Sequence, residues 1–267
     1  MDYATLLRGQ LRQLAQEWAS THKPSYLSLG TIPTVLFEPH GAKCHGNFEP
    51  HSWLAICARP EWSHRLGKPH SRQRALPLEK RATAKELDSS NSSDALLMNC
   101  FCYPGAADAL LAGLRLPAQP GLPQFGFKAK LTLTDGTTDR TEIDMCLGGL
   151  LFEAKLTERD FTSRPYAHVL RYRDLTTHFV VEELPAHDGR IKGYQVVRNV
   201  LAAAQLQGTS VVLLDERRPD LLDEWKSVRA AIRDAALRER CVTRYWQQVA
   251  APSPAPLRAF LRQKYGL

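Results

Sequence analysis

The chain has 267 residues, of which 43% are hydrophobic, so it is long enough for one large domain or one domain with a sizeable appendage. The sequence contains no run of about 18 apolar residues, and it does not begin with the basic segment and apolar stretch of a secretory leader. We therefore expect a cytoplasmic protein without a transmembrane helix. The six cysteines are too sparse for a disulfide scaffold, so we expect reduced thiols.

The positive charge of the chain is concentrated near its N-terminus. The formal net charge is +7, from 35 Lys and Arg against 28 Asp and Glu. Residues 1–85 hold 12 of these basic residues and 6 of the acidic ones, a net charge of +6, whereas the rest holds 23 against 22, or +1. Such an excess favours a polyanionic partner, because Lys and Arg release counterions from a phosphate backbone. The same charge would also serve solubility alone, and both explanations stay open.

The predicted elements start with an amphipathic helix over residues 2–20, in which leucines recur at helical spacing. Residues 22–82 are rich in Pro, His and Arg and predict loops with one or two short helices. The later predictions are helical segments within 83–103 and 106–114, strands over 125–134, 140–147 and 150–156, an apolar piece at 179–181, a helix at about 193–206, a strand at 211–214, a long helix at about 220–248, and a short final helix after a Pro-rich linker.

This order predicts an α/β fold in which one mixed sheet is flanked by helices, with a helical and loop-rich N-terminal extension. We expect a basic N-terminal region over residues 1–85, a core over residues 86–249 and a C-terminal tail over residues 250–267.

The predicted hairpin at residues 140–156 carries the most informative pattern. If Gly148–Gly149 forms a two-residue turn, the two sequence numbers of every cross-strand pair in the hairpin add up to the same value. Asp144 then lies opposite Glu153, and Glu142 lies opposite Lys155. Directly opposed residues share a face of the sheet, so one face gathers three carboxylates and an amine.

Two opposed carboxylates repel each other at a cost of up to about 1 kcal/mol. A divalent cation between Asp144 and Glu153 would remove this repulsion, and Lys155 could orient or help deprotonate a water that attacks a phosphodiester. The alternative is an ordinary solvated face on which Glu142 pairs with Lys155. A slip of one residue in the register would remove the metal-site interpretation.

Asp144, followed after eight residues by Glu153–Ala154–Lys155, resembles the D-x(n)-(D/E)-x-K signature of the PD-(D/E)XK nuclease superfamily. The predicted order of helix, three-strand meander, helix and strand is similar to the core of that superfamily, and the resemblance, also to its bacterial restriction-endonuclease-like members, covers about residues 86–216. It implies Mg²⁺ or Mn²⁺ bound by Asp144 and Glu153, with the Ala154 carbonyl as a further ligand and Lys155 serving the attacking water.

The spacing Gln195-x-x-x-Asn199 is similar to the Q-x-x-x-Y element found in part of the superfamily. Because Asn replaces Tyr, only Gln195 carries over as a candidate catalytic residue. An acidic residue of the first core helix also joins many such sites, and the candidates are Glu86, Asp88 and Asp94. For Asp94, the helix N-terminus explains an acidic residue equally well. Ser90 and Asn91 would line the cleft or form a turn.

Residues 64–74 form a basic segment whose candidate phosphate contacts are Arg65, Lys68, Arg72 and Arg74. A plain solvated loop would have the same composition. Histidines and cysteines crowd into residues 40–70, but they show no C-x2-C pair, so zinc is a secondary hypothesis and surface histidines are the simpler one.

Three functions are compatible with these patterns. The first is a Mg²⁺-dependent endonuclease that hydrolyses DNA, for which the resemblance implies a restriction or defence role and double-stranded DNA as the partner. The second is a non-enzymatic nucleic-acid-binding protein on a nuclease-like fold, and the third is a DNA-repair nuclease. Many duplex-cutting members of the superfamily act as dimers, so the resemblance also leaves a homodimer open.

Overall fold

The structure of the protein is a computed structural model that describes residues 2–28, 34–40, 43–70, 76 and 78–267. The chain forms two compact units. We call residues 1–118 together with 245–267 the terminal unit, and residues 119–244 the sheet unit. The division predicted at residues 85 and 249 stays a prediction.

The first part of the terminal unit is mainly helical, with short strands between its first two helices. Its elements are α1 (Tyr3–His22), β1 (Tyr26–Ser28), β2 (Val35–Phe37), β3 (Pro39–His40), β4 (Cys44–His45), α2 (Pro50–Cys57), α3 (Pro60–Ser63), α4 (Leu78–Arg81), α5 (Ser93–Phe101) and α6 (Ala107–Gly113), with 3₁₀ turns at His64–Gly67 and Glu86–Asp88. The predicted first helix is confirmed as α1.

Local capping explains where two of these helices begin. The side chain of Asp2 accepts a hydrogen bond from the Thr5 amide at 3.0 Å and so caps α1. The Ser92 hydroxyl accepts the Ala95 amide at 3.1 Å and caps α5.

The sheet unit contains the strands that position the candidate site. Its elements are β5 (Gln124–Phe127), β6 (Leu131–Thr132), β7 (Thr138–Asp139), β8 (Ile143–Leu147), β9 (Leu150–Ala154), β10 (Ser163–Pro165), α7 (Tyr166–Val169), α8 (Leu175–His178), a 3₁₀ turn at Val181–Glu183, β11 (Ala186–His187), β12 (Arg190–Lys192), α9 (Tyr194–Gln205), β13 (Thr209–Leu214), α10 (Pro219–Ala230), α11 (Ala235–Glu239) and β14 (Cys241–Tyr245). The chain then ends with α12 (Trp246–Ala250) and α13 (Ala255–Tyr265) of the terminal unit.

Five strands form one mixed sheet in the order β14-β13-β9-β8-β5. The meander β5-β8-β9 is antiparallel, and β13 runs parallel to β9. The connection from β9 to β13 includes α9, which packs on both strands. The predicted fold class, a mixed α/β sheet flanked by helices with a helical N-terminal segment, is confirmed. β9 lies in the middle of the sheet, and all five of its residues are buried.

The predicted long helix over residues 220–248 is wrong. α10 ends at Ala230, and α11 starts again after Asp234, whose carboxylate caps it by accepting the Ala236 amide at 2.9 Å. Residues 241–245 then form strand β14 at the edge of the five-stranded sheet. Their sequence, Cys-Val-Thr-Arg-Tyr, is rich in the β-branched and aromatic residues that favour strands.

The predicted strand over residues 125–134 is divided. β5 ends at Phe127, and β6 pairs with β7 in a separate two-stranded ribbon whose turn contains Asp135 and Gly136. The backbone φ angle of Lys130 is +56°, in the left-handed region that an extended strand cannot contain.

No helix in the described part of the chain has the length and apolar character needed to cross a membrane. The six cysteines are free thiols, as predicted.

Candidate active site

The register of the hairpin confirms the predicted two-residue turn. Leu147 pairs with Leu150, and Met145 pairs with Phe152, so the residue numbers of each pair sum to the same value. A further link follows one step along β8, where an oxygen of the Asp144 carboxylate accepts a hydrogen bond from the Ala154 amide at 2.8 Å. Asp144 therefore lies beside the Glu153–Ala154 segment of β9.

Glu153 is fully buried, with both carboxylate oxygens hydrogen-bonded. Oε1 accepts from Lys155 Nζ at 2.8 Å, and Oε2 accepts from Asn199 Nδ2 at 2.7 Å. The Arg198 guanidinium lies 3.9 Å from Oε2. A carboxylate taken out of water needs such donors, since an isolated buried charge is very costly. The alternative of a solvated hairpin face does not hold at Glu153, because α9 covers the face that carries this residue.

Lys155 is buried and stays positively charged in this arrangement. Burial lowers the pKa of Lys155, but the negative charges of Glu153, Asp144 and Glu158 outweigh burial, and the pKa is raised overall. The backbone amide of Lys155 donates to the Leu213 carbonyl at 2.9 Å, which extends the pairing of β9 with β13. Its ammonium also lies 5.8 Å from the centre of the Phe161 ring.

Helix α9 contributes two buried polar residues, Arg198 and Asn199, to this cluster. One Arg198 nitrogen donates to the Glu142 carbonyl at 2.6 Å and to Asn199 Oδ1 at 3.2 Å. Sequence reasoning set Asn199 aside because it replaces a tyrosine of the family motif. The sequence offers only a partial signal, since Asn199 stands among the apolar residues Val196 and Val200, which the structure buries fully, so its burial could be expected but its partner could not.

Gln195 lies one helical turn before Asn199, so the two residues share a side of α9. Its side-chain oxygen is buried and has no hydrogen-bond partner within the described part of the chain. A buried acceptor of this kind is unusual in a folded protein. The predicted catalytic role of Gln195 stays a prediction.

The oxygen atoms at this site are ligands of the kind that a hard divalent cation takes. Asp144, Glu153 and the Ala154 carbonyl offer oxygen atoms, and a carboxylate oxygen that accepts one hydrogen bond retains a second lone pair. Mg²⁺ keeps several waters and usually takes only one or two carboxylates from the protein. Among the described residues, no group of three or more His, Cys, Asp or Glu side chains that could hold a metal occurs.

The other predicted site residues lie in the terminal unit or outside the described residues. Asp94, in the first turn of α5, accepts from Arg65 at 3.1 Å and from Lys68 at 2.7 Å. Burial raises the pKa of Asp94, but the charges of Lys68 and Arg65 outweigh it and lower the pKa overall. Arg65 is buried in this ion-pair cluster, and Arg72 and Arg74 lie outside the described residues. The phosphate contacts of this segment stay predictions.

The remaining candidates of the terminal unit form hydrogen-bonded turns. The Asp88 carboxylate accepts the Lys85 amide at 2.7 Å and contacts His45 at 3.2 Å. The Ser90 hydroxyl accepts the Val35 amide at 3.1 Å, and the Asn91 side-chain oxygen accepts the Ser89 hydroxyl at 2.6 Å. The Ser92 amide donates to the Ser89 carbonyl at 3.0 Å and closes a turn over Ser90 and Asn91, which agrees with the turn interpretation of these two residues.

The fold and the cluster on β8, β9 and α9 are consistent with the restriction-endonuclease-like class. A family model described as "Restriction Endonuclease associating with ARP" matches residues 33–266, so the chain belongs to that family. Membership indicates a nuclease with a nucleic-acid substrate. No curated protein and no solved structure matched the chain.

Proposed function

We propose that the protein is a metal-dependent nuclease of the PD-(D/E)XK type that hydrolyses DNA phosphodiester bonds with Mg²⁺ or Mn²⁺. The observation that carries the proposal is the contact set of the hairpin. Asp144 bonds to the Ala154 amide, and Lys155 bonds to the buried Glu153, so the three signature residues form one cluster. The proposal also includes a restriction or defence role, double-stranded DNA as substrate, a homodimeric form and action in the cytoplasm.

In this proposal, Asp144, Glu153 and the Ala154 carbonyl hold the cation. When bound, the cation supplies Lewis-acid stabilisation of the negative charge that develops on the phosphoryl oxygens. The chain itself supplies a positive charge and a hydrogen-bond donor at Lys155 Nζ. The Lys155 ammonium lies 2.8 Å from Glu153, beside the oxygens that would hold the cation, so we assign it the orientation of the attacking water and the stabilisation of negative charge. Gln195 offers a further acceptor for that water.

The test is cleavage of supercoiled plasmid and single-stranded DNA with Mg²⁺ or Mn²⁺. The wild type is compared with Lys155→Ala and Asp144→Ala, and with a control, Lys226→Ala, which removes an exposed lysine from the same unit. We expect the two site variants to lose at least about 100-fold in rate and the control to cut like the wild type. Near-ultraviolet circular dichroism checks that each variant is folded.

Two outcomes would contradict the proposal. Metal-dependent cutting that survives in a folded Asp144→Ala variant would place the chemistry elsewhere. A wild type that binds DNA in a salt-sensitive way but cuts neither substrate would favour the non-enzymatic binding protein.

A further inference from the structure

The Arg198–Asn199 pair on α9 defines how the Asn199 amide is oriented. Asn199 Oδ1 accepts from Arg198, at 3.4 Å from Nε and 3.2 Å from Nη2, while Nδ2 donates to Glu153 at 2.7 Å. A guanidinium only donates, and a carboxylate only accepts. The opposite amide orientation would set oxygen against oxygen and nitrogen against guanidinium, so only one orientation satisfies both neighbours.

Arg198 is itself held in place by the hairpin. Its Nη2 donates to the Glu142 carbonyl at 2.6 Å, just before β8 begins, and its side chain is 5% exposed. The guanidinium thus bridges the Glu142 carbonyl, two residues before Asp144, and the Asn199 amide, which contacts Glu153. It connects the two strands of the candidate site through the helix that covers them.

The Glu153 carboxylate is consequently fixed by donors from two different parts of the chain. Lys155, the residue that follows β9, holds Oε1, and Asn199 of α9 holds Oε2. One donor would leave the carboxylate able to rotate about its last torsion, which is broad for Glu. Two donors on opposite oxygens define its plane, and that plane sets where the remaining lone pairs point.

We propose that Asn199 is a positioning residue that holds the Glu153 carboxylate for the divalent cation, and that Arg198 acts through Asn199 by locking its amide. This inference rests on the proposed function, because it assigns Glu153 to the cation. Partners of metal ligands of this kind typically change metal affinity or activity by 10–100-fold when they are removed.

The test measures Mn²⁺ affinity of the full-length protein by isothermal titration calorimetry without DNA, so the result does not depend on cleavage. The variants are Asn199→Leu, which keeps a similar volume without the amide, Arg198→Lys, which keeps the charge without the fork, and both together. The control is Val197→Ala, which creates a cavity at a fully buried position of the same helix. Melting temperatures are recorded for every variant.

We expect Asn199→Leu to bind Mn²⁺ about 10–100-fold more weakly and Arg198→Lys to bind it several-fold more weakly. The double variant should bind no more weakly than Asn199→Leu, since Arg198 acts through the residue already removed. Val197→Ala should melt earlier and bind Mn²⁺ like the wild type. If Asn199→Leu does not fold, Arg198→Lys decides, and wild-type affinity in it would overturn the inference.

Asp144→Asn separates the two levels of the proposal. A wild type that does not bind Mn²⁺, or binding that survives in Asp144→Asn, overturns both the proposed function and the role of Asn199. Binding that is lost in Asp144→Asn but unchanged in Asn199→Leu overturns the role of Asn199 alone. Equal and independent losses in Asn199→Leu and Arg198→Lys would refute the action of Arg198 through Asn199.

Discussion

Replacing Lys155 with Met tests the buried ion pair that anchors the site. Lys155 Nζ lies 2.8 Å from Glu153 Oε1, and the two side chains are 6% and 0% exposed. Methionine fills a similar volume without the charge, so the buried Glu153 carboxylate would lose its closest cation. Breaking a buried pair by removing one partner costs about 3–5 kcal/mol.

The remaining donors reduce this cost. Asn199 still donates to Glu153, and the Arg198 guanidinium lies 3.9 Å away. We therefore expect the lower end of the range, about 3 kcal/mol. For a chain of this size, such a loss lowers the melting temperature by roughly 6–12 °C, at about 2–4 °C per kcal/mol. Differential scanning fluorimetry and urea denaturation measure the two quantities.

Two further variants make the prediction sharp. Lys226→Met removes a lysine from an exposed ion pair with Asp223, where the side chains are 64% and 74% exposed, and should change stability by less than about 0.5 kcal/mol. Adding Glu153→Gln to Lys155→Met removes the stranded charge and should recover at least about half of the loss. If Lys155→Met is within about 0.5 kcal/mol of the wild type, the argument from the buried charge is refuted.

Three other predictions concern different parts of the chain. Burial lowers the pKa of Lys264, so the unfolded chain binds more protons between that lowered value and about 10.4, and stability rises with pH in this window. The melting temperature of the wild type, measured relative to that of Lys264→Met, should therefore increase between pH 7 and 10. A difference in melting temperature that stays constant over this range would contradict the prediction. Replacing Arg72 and Arg74 with Ala should reduce the magnitude of the slope of log binding constant against log salt concentration by roughly 2 for duplex DNA, measured by fluorescence anisotropy. An unchanged slope would show that these two residues do not contact the DNA backbone. Gly148→Ala should cost about 1–2 kcal/mol in urea denaturation, because its φ is +54° and the new Cβ would lie 2.2 Å from the Gln119 side-chain oxygen; a neutral result would show that the turn adapts.

The hairpin could be predicted from the sequence because local rules determine it. The Gly148–Gly149 turn sets the register, and the register alone brings Asp144 to the Glu153–Ala154 segment. The burial of Glu153 could not be predicted in the same way, since it depends on α9 returning across that face of the sheet. A carboxylate on a strand has the same local pattern whether water or a helix covers it.

Tertiary context also explains the errors. Residues 241–245 have strand propensity but follow a helical pattern, and only the open edge of β13 accounts for their pairing as β14. Asn199 was undervalued for a related reason. Its role depends on a hydrogen bond to a residue 46 positions earlier in the chain, which no spacing within α9 indicates.

The Lys155–Glu153 pair gives the protein an internal counter-ion. A metallo-domain held together by its metal loses its fold when a chelator removes the ion. Here the ammonium of Lys155, two residues after Glu153 in the chain, neutralises that carboxylate, so the fold has its own means of tolerating the acidic cluster. We expect the cation-free protein to be a stable resting state that can be purified and stored with EDTA. Under the proposed function, adding Mg²⁺ to this protein would start DNA cleavage without a folding step.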